Sequence, residues 1–356
     1  MTRPRLVAGA CACVAALVVA ACGTGSRSSA TDRSVTRGSV PAAVDAVTGH
    51  AIRSGLELNI GDQDQFLETL FKASGALTGA SYKANFVEFD SGPLVDAGFA
   101  AKRIDIGFMG DLPASLAAKS GLPVEAVAAF LPIGASEYLL AKPGISAIAQ
   151  LKGRPVAYTT GTSEQAFALR ALATAGLTQK DVHQVNVSLQ QLGTVLQSGA
   201  ADASVVSVEQ KVDYQQSHPG ATVLATIASV QPASYAYLLG TRSAIADPDK
   251  LAVIDDFTHR LIEASNWEKA HPAQFIQDYY VTVEHQTTAN ARLILSAGGS
   301  YTFEPLGAAE QTALQNVVDL MSSAGAIPTA YRISPLFDPA EAARYNQIVK
   351  GVPQSD

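Results

Sequence analysis

The chain has 356 residues, 47% hydrophobic and 16% charged, with a formal net charge of -7. Length and apolar fraction suffice for one large domain or two ordinary ones, and they exclude a disordered chain; the acidic balance argues against nucleic acid, which needs a basic surface. The three cysteines stand at 11, 13 and 22, so beyond residue 22 there is no internal disulfide, thiolate metal cage or cysteine nucleophile.

In chain order, Met1 to Arg5 carries two arginines, and Leu6 to Ala21 is a run of sixteen uncharged residues. Sixteen is short of the roughly 20 residues a membrane span needs. A basic start, a short apolar centre and small residues at its end predict a cleaved export signal over 1–21. Val19-Ala20-Ala21-Cys22 resembles the bacterial lipobox, which implies lipidation of Cys22 and anchoring to the outer face of the cell membrane. From Gly23 to Ser39, eleven of seventeen residues are Gly, Ser or Thr, so 22–54 reads as a lipidated N-terminus and tether.

The body alternates short β-branched or aromatic runs with helical patterns. Strands are expected at Leu56–Ile60, Asn85–Phe89, Ile104–Phe108, Val124–Leu131, Glu137–Lys142, Pro155–Tyr158, Ala203–Val206, Ala221–Thr226 and Tyr235–Gly240. Phe66, Leu67, Leu70 and Phe71 recur at helical spacing, as do Phe167, Leu169 and Leu172. Strands separated by helix-length crossovers predict parallel sheets with helices on both faces, an α/β class. Beyond Gly240 the pattern is mostly helical, with a short run at Tyr301–Glu304.

A weak repeat runs through this pattern. Gly61-Asp62-Gln63-Asp64-Gln65-Phe66 opens a helix after a strand, and Gly161-Thr162-Ser163-Glu164-Gln165-Ala166-Phe167 does the same 100 residues later. Asp105 begins one strand and Asp202 another, 97 residues on. Two similar lobes are the expectation.

The segment Ile104-Asp105-Ile106-Gly107-Phe108-Met109-Gly110-Asp111-Leu112-Pro113 resembles the strand, Gly-Asp-x-Pro loop and helix of substrate-binding proteins of the aliphatic sulfonate, nitrate and taurine importers. Phe86 to Pro93, Leu151 to Ala157, Gly161-Thr162-Ser163 and Leu196 to Ala203 follow that family's landmarks in order. The resemblance implies a two-lobed type II periplasmic-binding-protein fold, with lobe 1 built from 55–134 plus 241–356 and lobe 2 from 135–240. The crossings are expected near Leu131–Tyr138 and Leu238–Arg242. It implies an exported, monomeric solute-binding lipoprotein of an ATP-driven importer, whose partners are a small solute such as an aliphatic sulfonate or taurine, the membrane reached through its lipid, and a permease. No cofactor and no metal is expected.

Ligands of parallel sheets bind at the carboxyl ends of strands, where helix N-termini present free N–H groups. Four such ends supply candidate ligand-binding residues: Asp62, Gln63 and Asp64; Met109, Gly110, Asp111 and Leu112; Thr160, Gly161, Thr162, Ser163 and Glu164; and Ser207 with Glu209. The loop from Thr160 to Ser163 is the best anion seat, since glycine permits close approach and hydroxyls donate to an oxyanion. Helix capping competes with binding for every one of these residues.

These loops carry acids and no Arg or Lys, and the strand Ala203–Val206 is followed by no aromatic, unlike its sulfonate-binding counterparts. A cationic, zwitterionic or heterocyclic solute therefore competes with the sulfonate reading, as does a lipoprotein that senses or binds partners without transport. Enzyme readings lack support: no G-x-S-x-G elbow, phosphate loop or dinucleotide fingerprint is present, and the six histidines show no metal-ligand spacing. The thiamine-pyrimidine synthases of this fold use a cysteine cluster that the chain lacks.

Overall fold

The computed structural model describes residues 49, 51–132, 137–230, 234–298 and 300–354. The signal peptide, Cys22 and the tether up to residue 48 lie outside the described residues. The first half contributes β1 (Glu57–Asp62), β2 (Lys83–Glu88), β3 (Ile106–Met109) and β4 (Val124–Pro132). Then come β5 (Glu137–Ala141), β6 (Pro155–Ala157), β7 (His183–Val185), β8 (Ala203–Ser207) and β9 (Thr222–Thr226), and finally β10 (Ala236–Thr241) and β11 (Tyr301–Phe303).

These strands form a six-stranded sheet, ordered β11-β4-β10-β3-β1-β2, and a five-stranded sheet, ordered β7-β6-β8-β5-β9. In each sheet three parallel strands run second, first, third, and an antiparallel strand then lies beside the third: β10 in the larger sheet and β5 in the smaller. The repeat is therefore topological, although the sheets are mixed and not purely parallel as the crossover pattern implied. Strands that follow a passage between the sheets enter in the opposite sense.

β10 lies wholly within the larger sheet, paired to β3 and β4. The return crossing expected at Leu238–Arg242 thus falls inside a strand, and the chain has already rejoined the first sheet at Ala236. Alternation identified the strand but carried no information about which sheet would take it. The edge strand β7 escaped the sequence reading, being only three residues long and starting on the polar pair His183-Gln184.

The helices that matter for the site follow strands: α1 (Phe66–Ser74) after β1, α2 (Gly92–Ala100) after β2, α3 (Asp111–Lys119) after β3, α4 (Ser163–Thr174) after β6, α5 (Leu192–Gln197) after β7 and α6 (Val208–Ser217) after β8. The long helix Pro248–Ala270 packs on α1, where Phe71 meets Phe257 with ring centroids 4.7 Å apart. Close packing of α2 on β3 needs Gly107, because a Cβ there would lie 2.6 Å from Val95 Cγ1.

The two repeated aspartates anchor their strands. Asp105 accepts from the Asn59 N–H at 2.8 Å and pairs with Lys250 at 2.8 Å. Asp202 pairs with Arg154 at 2.8 Å and with Lys142. Both stand just before the third parallel strand of their sheet, so the motif common to the halves is a structural ion pair.

Candidate functional site

The carboxyl ends of β1, β3 and β8, and the loop after β6, open onto one cavity of about 520 Å³, lined by residues from both sheets. Of the residues singled out in the sequence, Gln63, Asp64, Gly110, Ser163, Glu164, Ser207 and Glu209 line it, and the others do not.

Asp62 is fully buried and faces its own helix, its carboxylate accepting from the N–H groups of Gln63 at 2.8 Å, Leu67 at 3.0 Å and Glu68 at 2.9 Å. It caps α1, and the binding role assigned from sequence is corrected to a structural one. Met109 and Leu112 are completely buried core residues. Asp111 is buried and accepts from the Leu112 N–H at 2.6 Å, the Ser163 hydroxyl at 2.8 Å and the Ser234 hydroxyl at 3.1 Å.

The expected anion seat is turned inward as well. The Thr160 N–H donates to Asn186 Oδ1 at 2.9 Å, the Gly161 N–H to Gln165 Oε1 at 2.8 Å, and the Thr162 hydroxyl to the Thr159 carbonyl at 2.9 Å. Gly161 is required for the turn, with φ of +84°. Short polar residues at a strand end fit both capping and binding, and only their partners in space decide between the two.

One wall of the cavity was missed from sequence. Phe66 and Phe108 meet Tyr301 with centroids at 5.6 and 6.1 Å, and Phe66 meets Tyr279 at 5.6 Å. Tyr280 joins them, 5.0 Å from Tyr279. Tyr279 and Tyr280 sit in a π-helical segment, Ile276–Val281, a widened turn that often marks functional sites. The aromatic wall that β8 does not provide thus comes from the last third of the chain, and the density of Tyr279-Tyr280 and Tyr301 was the available signal.

The cavity is strongly acidic. Asp64, Glu137, Glu164, Glu209, Asp213 and Glu284 line it, and none of its described lining residues is Lys, Arg or His. Burial pushes Glu284 up to about 7, and the like charges of Asp64 and Glu209 add to the shift. Glu209 is raised by burial too, against the pull of the Ser207 hydroxyl, and Asp64 by burial against a hydrogen bond from Gln190. Glu137 and Glu164 are raised chiefly by burial, with Asp111 close to both. Asp64 and Gln65 both hold left-handed backbone, φ 53° and 55°, a strained conformation at the cavity wall.

Helices of the two halves also bond to one another beside the cavity. Besides Ser163 to Asp111, Gln216 donates to Asn290 Oδ1 at 2.8 Å, and Asn290 donates to Asp213 Oδ1 at 3.2 Å. Approach at Gly110 is so close that a Cβ there would lie 2.1 Å from Ser163 Oγ.

A protein of Escherichia coli (strain K12) named for binding aliphatic sulfonates is 30% identical over 151 residues, which is 41% of this chain and 47% of that relative. The aligned region therefore spans about half of the relative's length. Among solved structures, the alkanesulfonate-binding protein SsuA from Xanthomonas axonopodis pv. citri bound to MOPS has a TM-score of 0.70 at 23% identity, covering 80% of this chain and 98% of that one. The periplasmic aliphatic sulphonate binding protein SsuA from Escherichia coli has a TM-score of 0.70 at 24% identity, covering 80% and 92%. These similarities establish the two-sheet binding-protein fold. The family model described as NMT1/THI5 like matches residues 90–274, just over half of the 356 residues, and the chain belongs to that family.

Proposed function

We propose that the chain is the extracytoplasmic solute-binding component of an ATP-driven importer, a binding protein and not an enzyme. In this reading it is exported and held to the outer face of the cell membrane by a lipid on Cys22. It captures one small organic solute between a lobe built on the six-stranded sheet and a lobe built on the five-stranded sheet, and delivers it to a permease. The observation that carries this reading is the cavity of about 520 Å³ at the carboxyl ends of strands from both sheets. Its support from similarity is the family match and the relatives named for binding aliphatic sulfonates and alkanesulfonates. Hydrogen bonds between the two halves suit a protein whose closure around solute is read by a permease.

Uptake tests this directly. A strain lacking the protein is expected to lose at least about 90% of high-affinity uptake of one small solute, consistent with the micromolar binding, near -8 kcal/mol, that such capture requires. Normal uptake of every solute offered would favour a sensor or partner-binding lipoprotein instead.

A further inference from the structure

Helix N-termini reach the cavity, and at α1, α3 and α6 a side chain of the protein itself already accepts from the first turn. Asp62 takes the first-turn N–H groups of α1, and Asp111 takes that of α3 together with the Ser163 hydroxyl. At the start of α6 the Ser207 hydroxyl accepts from the Gln210 N–H at 3.3 Å. Such seats are where a bound sulfonate or phosphate gains most, because backbone N–H groups and the helix dipole act together. An anionic ligand here would meet side chains already seated at these three helix starts, six lining carboxylates and, among the described residues, no lining cation.

The rest of the cavity has the opposite preference. Glu137 lines it, and its Oε2 is buried with no hydrogen-bond partner among the described residues. Asp64, Glu209 and Glu284 line it together, and the like charges of Asp64 and Glu209 add to the upward shift of Glu284. Beside them stand Tyr279, Tyr280 and Tyr301, whose ring faces attract a cation, worth about 2 kcal/mol once water is excluded. The one guanidinium that acts on Glu137, Arg170, is not among the lining residues.

We propose that the solute bound in this cavity is an organic cation, its ammonium group held among Asp64, Glu209 and Glu284 and against the tyrosine wall. This rests on the solute-binding reading above and replaces the sulfonate class suggested by similarity with one chosen by the cavity's own chemistry. Aromatic faces exclude water from the cation while carboxylates balance its charge, and a positive guest relieves the mutual repulsion of the acids.

The test is calorimetric titration of the full-length protein with choline, tetramethylammonium and ethanesulfonate as probes. Choline or tetramethylammonium is expected to bind, and ethanesulfonate is not. Asp64→Asn keeps an oxygen for Gln190 and a residue suited to left-handed backbone, so it is expected to fold normally and to weaken cation binding roughly tenfold to a hundredfold. Glu284→Gln is expected to weaken it similarly. Binding of ethanesulfonate with no binding of either cation would overturn the proposal and leave the importer reading standing. Cation binding that both variants leave unchanged would overturn the assigned seat. Failure of every probe would also count against the proposal, while the importer reading would still be judged by the uptake experiment.

Discussion

Replacing Asp62 by Ala is expected to lower the unfolding free energy by about 2–4 kcal/mol at pH 7.5, as read from the urea midpoint. Its carboxylate is fully buried and accepts three backbone N–H groups, two of them in the first turn of α1. Alanine supplies no acceptor, and the Leu67 N–H is buried away from water. Each buried donor left without a partner costs about 1–3 kcal/mol, and the three losses overlap because the turn relaxes as a unit. The helix also carries Leu67, Leu70 and Phe71 into the core, so loosening its start weakens the packing on the long helix. A change below about 0.5 kcal/mol would mean that the start of α1 is held by something other than Asp62.

Glu268→Gln is expected to do the reverse, stabilising the protein in alkaline solution. Glu268 is completely buried on the helix Pro248–Ala270, Ser300 donates to its Oε1 at 3.1 Å, and its Oε2 has no hydrogen-bond partner. Burial pushes its carboxyl from the ordinary 4.5 up to about 8. The folded state therefore holds a proton that the unfolded chain releases, and stability falls as pH rises from about 4.5 through about 8. Burial raises Asp62 to about 6 and Asp96 to about 7, giving slopes of the same sign that the variant retains. At about 1.4 kcal/mol per pKa unit, and allowing for the imperfect fit of an amide, the variant should gain roughly 2–4 kcal/mol over the wild type at pH 8.5 and little at pH 5. Urea unfolding at both pH values measures this. An equal change at both would show that Glu268 is not the titrating group.

Local pattern carried most of the fold. All nine expected strands were located to within two residues at each end, the widest offsets falling at β1, β2 and β3. The helix starts marked by Gly61-Asp62 and Gly161-Thr162 fall beside α1 and α4. What local pattern could not carry was pairing between distant segments. Nothing in Ala236–Thr241 says that it joins β3 and β4, and nothing in Tyr279, Glu284 or Tyr301 says that they face Asp64 from more than 200 residues away.

The site was legible in the same uneven way. Acid crowding at the strand ends was visible, and Asp64, Glu164 and Glu209 line the cavity as that crowding suggested. Asp62, Asp111 and Thr162 look the same in sequence but spend their polar atoms on the protein itself. Capping and binding draw on the same residue types, so the distinction appears only when each lone pair has been traced to a donor.

The most direct test of the account is a titration of the wild type and of Ser163→Trp with the transported solute identified by the uptake experiment. Ser163 lines the cavity from the first turn of α4 and touches Asp111 across it, so an indole there fills the cleft and leaves the core of either half intact. The wild type is expected to bind one solute per chain, and the variant, shown to be folded by its cooperative unfolding, to bind at least about a hundredfold more weakly, the cost of about 3 kcal/mol. Equal binding by both proteins would place the solute elsewhere and contradict the account.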